Sequence, residues 1–448
     1  MRAGASGTMT DITDDATLRR TLGRRDIAML TVGNVIGSGI FLVPGTVVTA
    51  SGMSVGLAIT IWAIGAALAL CGALTYARLA ESRPEAGGVY VYIRDAFGRT
   101  AGFLFGWMML FVGISGAIAT LASAFGSIVS RLFALPVGSI AIGLLVVLGI
   151  GIANCASIRR SGDVQNWTAL FKLLPLVAIA ILLLILPAPT HADTGSVLQA
   201  PATVNISVAL IAVLWAFEGW QYVTYNSGEA ADPARTIRFG LIAGVVILGV
   251  TYMLVTLAVS LWLPPAELAS APNVIEAALR AADLNLIANT VSVIILVAIL
   301  SAAHATLLSG SRLVYAMAVD GLLPHALAGL SARTRVPLPA VLLCTIVAAI
   351  LTALGSFDTL LGYVVVTSWL FYGLAGLAVF RLAPAGGGRG FSIGVKLAAA
   401  LFAAGALLVM ISSLISGPPS ARYGLIIVAI GWVVAYGWFH WRDRQPST

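Results

Sequence analysis

The reading of this chain turns on the stretch Thr31-Val-Gly-Asn-Val-Ile-Gly-Ser-Gly-Ile-Phe41, with Pro44-Gly45 behind it. Its surroundings are apolar enough to cross a membrane. Yet Gly33, Gly37, Gly39 and Gly45 stand where an unbroken helix favours Leu or Ala, each glycine costing about 1 kcal/mol against Ala. The spacing predicts a helix that unwinds near Gly37 to Gly39. Backbone outside a helix survives at membrane depth only where it lines a cavity or is buried in protein, so the break is a candidate binding site. The alternative is close helix packing through small residues. A second stretch, Leu214-Trp-Ala-Phe-Glu-Gly-Trp220, places a carboxylate and a glycine between aromatics halfway along another apolar run, and it too reads as interrupted.

Composition sets the frame. Of 448 residues, 59% are apolar and only 10% charged, against about a quarter charged in a soluble globular chain. At about 20 residues per span, the length allows roughly a dozen transmembrane helices and no large soluble domain. The net charge of +7 sits in loops between apolar runs, where it reports orientation rather than nucleic-acid binding. Cys71, Cys155 and Cys344 form no close pair and support neither a disulfide framework nor a metal site. No metal and no cofactor are expected.

Apolar stretches between polar breaks fall near 26–46, 54–77, 100–129, 138–156, 165–187, 205–227, 237–263, 286–316, 337–355, 359–380, 393–415 and 421–440. Threaded as twelve spans, they put 21 basic residues on one side and only Arg131, Arg280 and Arg422 on the other. The positive-inside rule then places both termini in the cytoplasm. Residues 1–25 read as an N-terminal tail and 441–448 as a C-terminal tail.

The two broken spans, the first and the sixth, hold corresponding positions if 26–187 and 205–380 are five-helix repeats of opposite topology. Paired Gly-interrupted segments in two halves point to the substrate site of a secondary transporter. The fold class expected is an all-α polytopic membrane protein with a 5+5 inverted repeat. Helices 11 and 12, near 393–440, are then peripheral.

At such a break, half-helix N–H groups receive a carboxylate and unwound carbonyls receive an ammonium. An α-amino acid carries both. Gly37, Ser38 and Gly39 are the candidates for the carboxylate, with Ile36 and Ile40 beside them in the substrate site, and the carbonyls of Ala216 and Phe217 the candidates for the amine. Trp215 can close over the substrate as a gate, or simply pack.

The remaining basic residue, Lys172, sits inside the fifth span. A lysine in mid-membrane costs a few kcal/mol and marks function by default; the competing reading is snorkelling to the interface. The functional reading fixes its ammonium between the broken first helix and the eighth, in place of a coupling cation. That would make sodium unnecessary and leaves proton coupling open.

Glu218 is the one carboxylate deep in a span. It reads as an N-cap of the following half-helix, a proton relay, or a recognition group for a cationic substrate. His304 in the eighth span reads either as lining the site or as packed and hydrogen-bonded. The segments 83–94 and 309–324, rich in Gly, Arg and aromatics, are candidates for an inner gate, with Tyr90, Arg312 and Trp220 as gating residues. Interfacial anchoring by Tyr and Arg is the alternative there.

Together these segments resemble the amino acid-polyamine-organocation superfamily, most closely its L-type amino acid transporter branch, in a bacterial member. The resemblance rests on Gly33 to Phe41, Pro84 to Tyr92, Lys172, Ala216 to Trp220 with Glu229 and Pro233, and Ser311-Arg312 with Asp320-Gly321, and spans roughly 20–380. It implies a LeuT-type fold and sodium-independent amino acid transport by alternating access in the bacterial inner membrane, with Lys172 tying the first, fifth and eighth helices together. It matches Ser38 and Gly39 to carboxylate contacts, Trp215 to an aromatic gate, and Thr306 to a hydroxyl facing the lysine; Glu218 and Gly219 at the second break are candidate substrate-binding residues on the residue reading alone. Ala302 and His304 depart from the pattern.

Eukaryotic members pair with a glycoprotein through a cysteine after the third span. None stands near Arg131, so no disulfide-linked subunit is expected. The partners expected are an amino acid substrate and membrane lipids, with the chain a monomer or weak homodimer. The function read is exchange of neutral L-amino acids, with proton symport or transport of cationic amino acids or polyamines as alternatives. A membrane enzyme would need clustered His, Asp or Glu, and the four scattered histidines supply no such cluster. An amino-acid sensor would need a signalling tail or domain.

Overall fold

The structure, a computed structural model, describes residues 20–133, 137–155, 158–189, 204–355, 357–385, 390–416, 421–442 and 444. Among these residues the architecture is all-helical, and the sole strand-like feature is an isolated parallel bridge between Leu22 and Ala230. Among the described residues, nine helical stretches are long and apolar enough to cross a membrane, and three shorter apolar helices, Ser139–Asn154, Leu338–Leu354 and Thr367–Phe380, accompany them.

The helices in chain order begin with α1 (Arg24–Val35), α2 (Gly39–Leu42) and α3 (Pro44–Ala50), three pieces of one span. Then come α4 (Val55–Ser82), the short α5 (Val89–Phe97), and α6 (Arg99–Met108), which runs through a π-helical turn at Met109–Ile114 into α7 (Ser115–Phe133). Next are α8 (Ser139–Asn154), α9 (Ile158–Ile185) and α10 (Ile206–Ala216), the last followed by a 3-10 helix at Trp220–Glu229. After α11 (Pro233–Trp262), two short helices, α12 (Pro265–Ser270) and α13 (Val274–Ala281), lead into α14 (Asn285–Val319). The chain ends with α15 (Leu338–Leu354), α16 (Phe357–Leu377), α17 (Ile393–Ser416) and α18 (Ala421–Arg442).

Burial sorts these helices into centre and edge. The span built on α1 and α2 is 78% buried and the one from Ile206 to Glu229 is 83% buried, whereas α17 is 33% and α18 only 17% buried. A helix apolar all round yet mostly uncovered is one whose outer face meets lipid. The two broken spans and the α6–α7 span, 83% buried, therefore lie at the centre of the bundle. α1 packs on α9, α11 and α14, and α10 packs on α3 and α4.

Both breaks fall where the glycines predict. α1 ends at Val35, residues 36–38 are non-helical, and the helix resumes at Gly39. At Gly39 a β-carbon would stand 2.6 Å from the Cα of Ala216, so the absence of a side chain lets the two broken segments touch backbone to backbone. In the sixth span the helix stops at Ala216, and Gly219 takes φ of 115°, a left-handed conformation open to glycine without strain. A β-carbon there would also stand 2.8 Å from the carbonyl oxygen of Asn34.

Three features differ from the sequence reading. Beyond Gly219 the chain continues as a ten-residue 3-10 helix rather than an α-helix. A 3-10 run of that length in the middle of a span marks a strained segment or hinge. The polar tail expected up to residue 25 is partly structural, since Thr21 and Leu22 donate to the Glu229 carbonyl at 2.9 Å and Ala231 donates to that of Leu22 at 2.9 Å. The third span carries the π-turn. There the Gly113 carbonyl accepts the Tyr222 hydroxyl at 3.3 Å.

Candidate functional site

Between the two breaks lies a cavity of about 30 Å³ lined by Asn34, Val35, Gly37, Ser38, Gly39, Ala117, Leu121, Trp215, Glu218, Tyr222, Ala302 and Thr306. Since one water needs about 10–15 Å³ on this measure, the space is tight. Its polar edge is chemically explicit. The Ser38 hydroxyl and the Asn34 amide oxygen are buried and have no hydrogen-bond partner among the described residues. The first N–H groups of α2 have no carbonyl one turn back to receive them. Gly37, Ser38 and Gly39, the residues expected to receive a carboxylate, all line this cavity.

Lys172 is fully buried, which excludes snorkelling. Its Nζ donates to the Gly33 carbonyl at 2.7 Å and the Ile36 carbonyl at 2.6 Å. These are end-of-helix carbonyls without a helical donor: the Gly37 N–H that would have reached Gly33 turns to Val35 at 2.8 Å. A cation at the C-terminal end of a helix also meets the negative pole of its dipole. The lysine therefore closes the break in α1 from behind, and Ile36 serves the lysine through its carbonyl.

Thr306 lies on the cavity wall, and the two hydrogen bonds that the Lys172 ammonium makes among the described residues go to α1. The link from α9 to α14 is made by Ser301 instead, whose hydroxyl donates to the Thr168 hydroxyl at 2.9 Å. Gln165 and Ser301 approach at 3.5 Å beside it.

Glu218 reaches the cavity wall, and one of its carboxylate oxygens accepts from the Tyr372 hydroxyl at 2.6 Å, the Gln221 amide at 2.8 Å and the Tyr222 hydroxyl at 3.1 Å. It is not a backbone N-cap, because all three donors are side chains. Tyr372 comes from α16, so this cluster joins the sixth-span break to a distant helix. Sequence reading missed Tyr222 and Tyr372. Tyr222 could have been found as the residue one helical turn past Glu218, whereas nothing in the apolar run of α16 singles out Tyr372.

Trp215 lines the cavity as expected. Trp220 does not: it lies beyond the left-handed turn at Gly219, with its ring 5.2 Å from Tyr76 and 6.0 Å from Phe402. Phe217 packs its ring against Tyr252 at 5.2 Å, and Ile40 is buried away from the lining. His304 is likewise corrected. Two residues along a helix is about 200° of rotation, so with Ala302 and Thr306 facing the cavity, His304 faces the far side, toward α8.

On the side of the candidate inner gate, Tyr90 donates to Asp320 at 2.7 Å, and Arg94 pairs with Asp320, with Asp95 at 2.8 Å and with Glu85 at 3.3 Å. Burial, reinforced by the neighbouring Asp320 carboxylate, pushes the Tyr90 hydroxyl above its ordinary range, so it stays protonated and donates. The two glycine- and arginine-rich segments are thereby latched to each other. Arg312 is deeper, in a fully buried pair with Glu229 at 3.2 Å, and also donates to the Leu308 carbonyl at 2.8 Å.

Two opposed helix breaks around a small polar cavity, one of them closed by a buried ammonium, make this an integral membrane transporter. The chain belongs to the amino acid permease family, whose profile matches residues 22–435. It is 29% identical to the serine/threonine exchanger SteT of Bacillus subtilis (strain 168), covering 95% of this chain and 98% of that one. It is 28% identical to the cystine/glutamate transporter of Homo sapiens, covering 93% and 84% of the two chains. Against the b(0,+)-type amino acid transporter 1 of Oryctolagus cuniculus, identity is 31% over 81% of this chain and 76% of the relative.

Proposed function

We propose that this amino acid transporter is a sodium-independent exchanger of neutral L-amino acids that works by alternating access. The carrying observation is Lys172, whose Nζ holds the Gly33 and Ile36 carbonyls at 2.7 and 2.6 Å directly behind the cavity. A fixed ammonium on those carbonyls leaves no place there for a sodium ion to couple transport. The name of one relative, a serine/threonine exchanger, supports exchange, and that of another, a cystine/glutamate transporter, supports amino acid substrates.

In this reading the substrate carboxylate binds the N–H groups of α2 and the Ser38 hydroxyl, its ammonium binds the carbonyls of Ala216 and Phe217, and Trp215 closes above it. The tight cavity and its apolar neighbours Ala117, Leu121 and Ala302 favour small uncharged side chains. The nine long apolar helices and three shorter ones support twelve spans, and the two breaks at corresponding places support the 5+5 inverted repeat over 26–380. The Arg distribution supports cytoplasmic termini, and the Bacillus relative supports a bacterial inner membrane. The Tyr90–Asp320–Arg94 latch is then the inner gate.

A second reading, proton symport, is favoured by Glu218, which faces the same cavity from within a shell of three donors. Uptake of a labelled amino-acid panel into sodium-free proteoliposomes separates the two. Uptake that requires internal amino acid supports exchange; uptake into empty vesicles that requires an inward proton gradient replaces it with symport.

A further inference from the structure

A second cavity, of about 360 Å³, lies outside the transport site, between α8, α9 and α14. Its walls are apolar, formed by Val146, Ile150, Val297 and Leu300, and its floor is polar, formed by Gln165 and His304. The crevice is open at its rim, where the lining residues Gly149 and Ala153 are exposed, and that opening faces lipid in a membrane-spanning protein. At Gly149, on the rim, an added β-carbon would meet nothing within 4 Å.

The floor carries a specific chemical demand. The Gln165 amide oxygen and His304 Nδ1 are buried and have no hydrogen-bond partner among the described residues, and Gln165 itself is only 1% exposed. The turn that presents His304 is pinned from behind, where its carbonyl accepts from Asn154 at 3.3 Å. A pure hydrocarbon filling the crevice would leave both atoms unsatisfied. A phosphate or carboxylate head would enter without a countercharge, since none of the residues lining the crevice is charged. A hydroxyl meets the demand, because it both donates and accepts and so satisfies the glutamine amide in either orientation and the imidazole in either tautomer.

We propose that this crevice binds a single-chain membrane lipid with a neutral hydroxyl head, of the monoacylglycerol type. The hydroxyl sits on Gln165 and His304, and the acyl chain runs along Val146, Ile150, Val297 and Leu300 toward the bilayer. The site adjoins the lysine without overlapping the substrate cavity. Gln165 packs over Gly33, where a β-carbon would fall 1.6 Å from its amide nitrogen, and Gly33 carries one of the two carbonyls held by Lys172.

The test uses the purified full chain in phosphatidylcholine nanodiscs, irradiated with a monoacylglycerol bearing a diazirine in its chain, with adducts mapped by peptide mass spectrometry. Adducts are expected within 146–153 and 297–304, and unlabelled monoolein should suppress them about fivefold better than methyl oleate or lysophosphatidylglycerol, the selectivity one neutral hydrogen bond provides. Gly149→Leu, which fills the crevice, should cut the labelling severalfold, and His304→Leu should erase the preference for monoolein over methyl oleate. Amino-acid exchange by Gly149→Leu reports that it is folded, and Val297→Phe replaces it if exchange is lost. Equal competition by methyl oleate, or labelling unchanged in the filled variant, would overturn the proposal and leave ordinary bilayer contact.

Discussion

The ammonium of Lys172 stands 2.6 Å from the carbonyl oxygen of Ile36, so the side chain of one span completes the hydrogen bonding that another span abandons where it breaks. Helix α1 can stop at mid-membrane because α9 supplies the missing donor. The interaction ties a local irregularity, legible in the glycines, to a tertiary contact across 136 residues of sequence.

Lys172→Ala should reduce exchange in proteoliposomes by more than about tenfold. It leaves the Gly33 and Ile36 carbonyls buried without a donor, at about 1–3 kcal/mol each, and a lower thermal midpoint should accompany the loss. Near-wild-type uptake by this variant would remove the lysine from the mechanism.

Two glycines of the same break should respond unequally to alanine. At Gly39 the new β-carbon falls 2.6 Å from backbone of Ala216, whereas at Gly37 its nearest neighbours are side-chain carbons of Leu121 at 3.1 Å and Ala302 at 3.3 Å. The Leu121 side chain can rotate away and the Ala302 methyl at 3.3 Å needs only a small shift, whereas backbone at 2.6 Å must move much further. Exchange should fall at least about tenfold further in Gly39→Ala than in Gly37→Ala; equal rates would contradict the packing described.

Glu218→Gln keeps a side-chain oxygen to accept from Tyr372, Gln221 and Tyr222 while removing the ionisable group. If the protein exchanges neutral amino acids, this variant should retain exchange within about threefold and show no altered dependence on a proton gradient. Selective loss of gradient-driven uptake would establish symport instead. Glu218→Leu removes the acceptor that the three donors share, although Tyr222 keeps the Gly113 carbonyl and Gln221 keeps the Tyr372 hydroxyl, and should destabilise the protein by about 1–3 kcal/mol in a thermal-shift assay.

Arg312→Met strands the Glu229 carboxylate in a site where both partners are essentially unexposed. Breaking a buried pair on one side costs about 3–5 kcal/mol, and replacing both partners by apolar residues costs less. The double variant Arg312→Met with Glu229→Leu should therefore melt higher than Arg312→Met alone. A double variant that melts lower would show that Glu229 is held by more than its arginine.

Tyr90→Phe deletes the 2.7 Å hydrogen bond to Asp320 and leaves the Arg94 pair in place. If these segments form the inner gate, a cysteine placed on the cytoplasmic side of the cavity should react with a membrane-impermeant thiol reagent about two- to fivefold faster in this background, as expected for the loss of about 1 kcal/mol from the closed state. An unchanged labelling rate would make the contact purely structural.

Much of this protein was written locally. Hydropathy and glycine spacing determined the helices, both breaks and the cavity face at Gly37, Ser38, Gly39 and Trp215, because apolar run length and backbone permissiveness are properties of neighbouring residues. Which buried side chains meet was decided only by packing. The rotation of α14 turned His304 away from the cavity and Thr306 toward it, the left-handed Gly219 carried Trp220 onto Tyr76, and the approach of α16 delivered Tyr372 to Glu218. Those outcomes depend on helix phase and on partners more than a hundred residues away, and an apolar helix with no polar face carries no mark of which side turns inward.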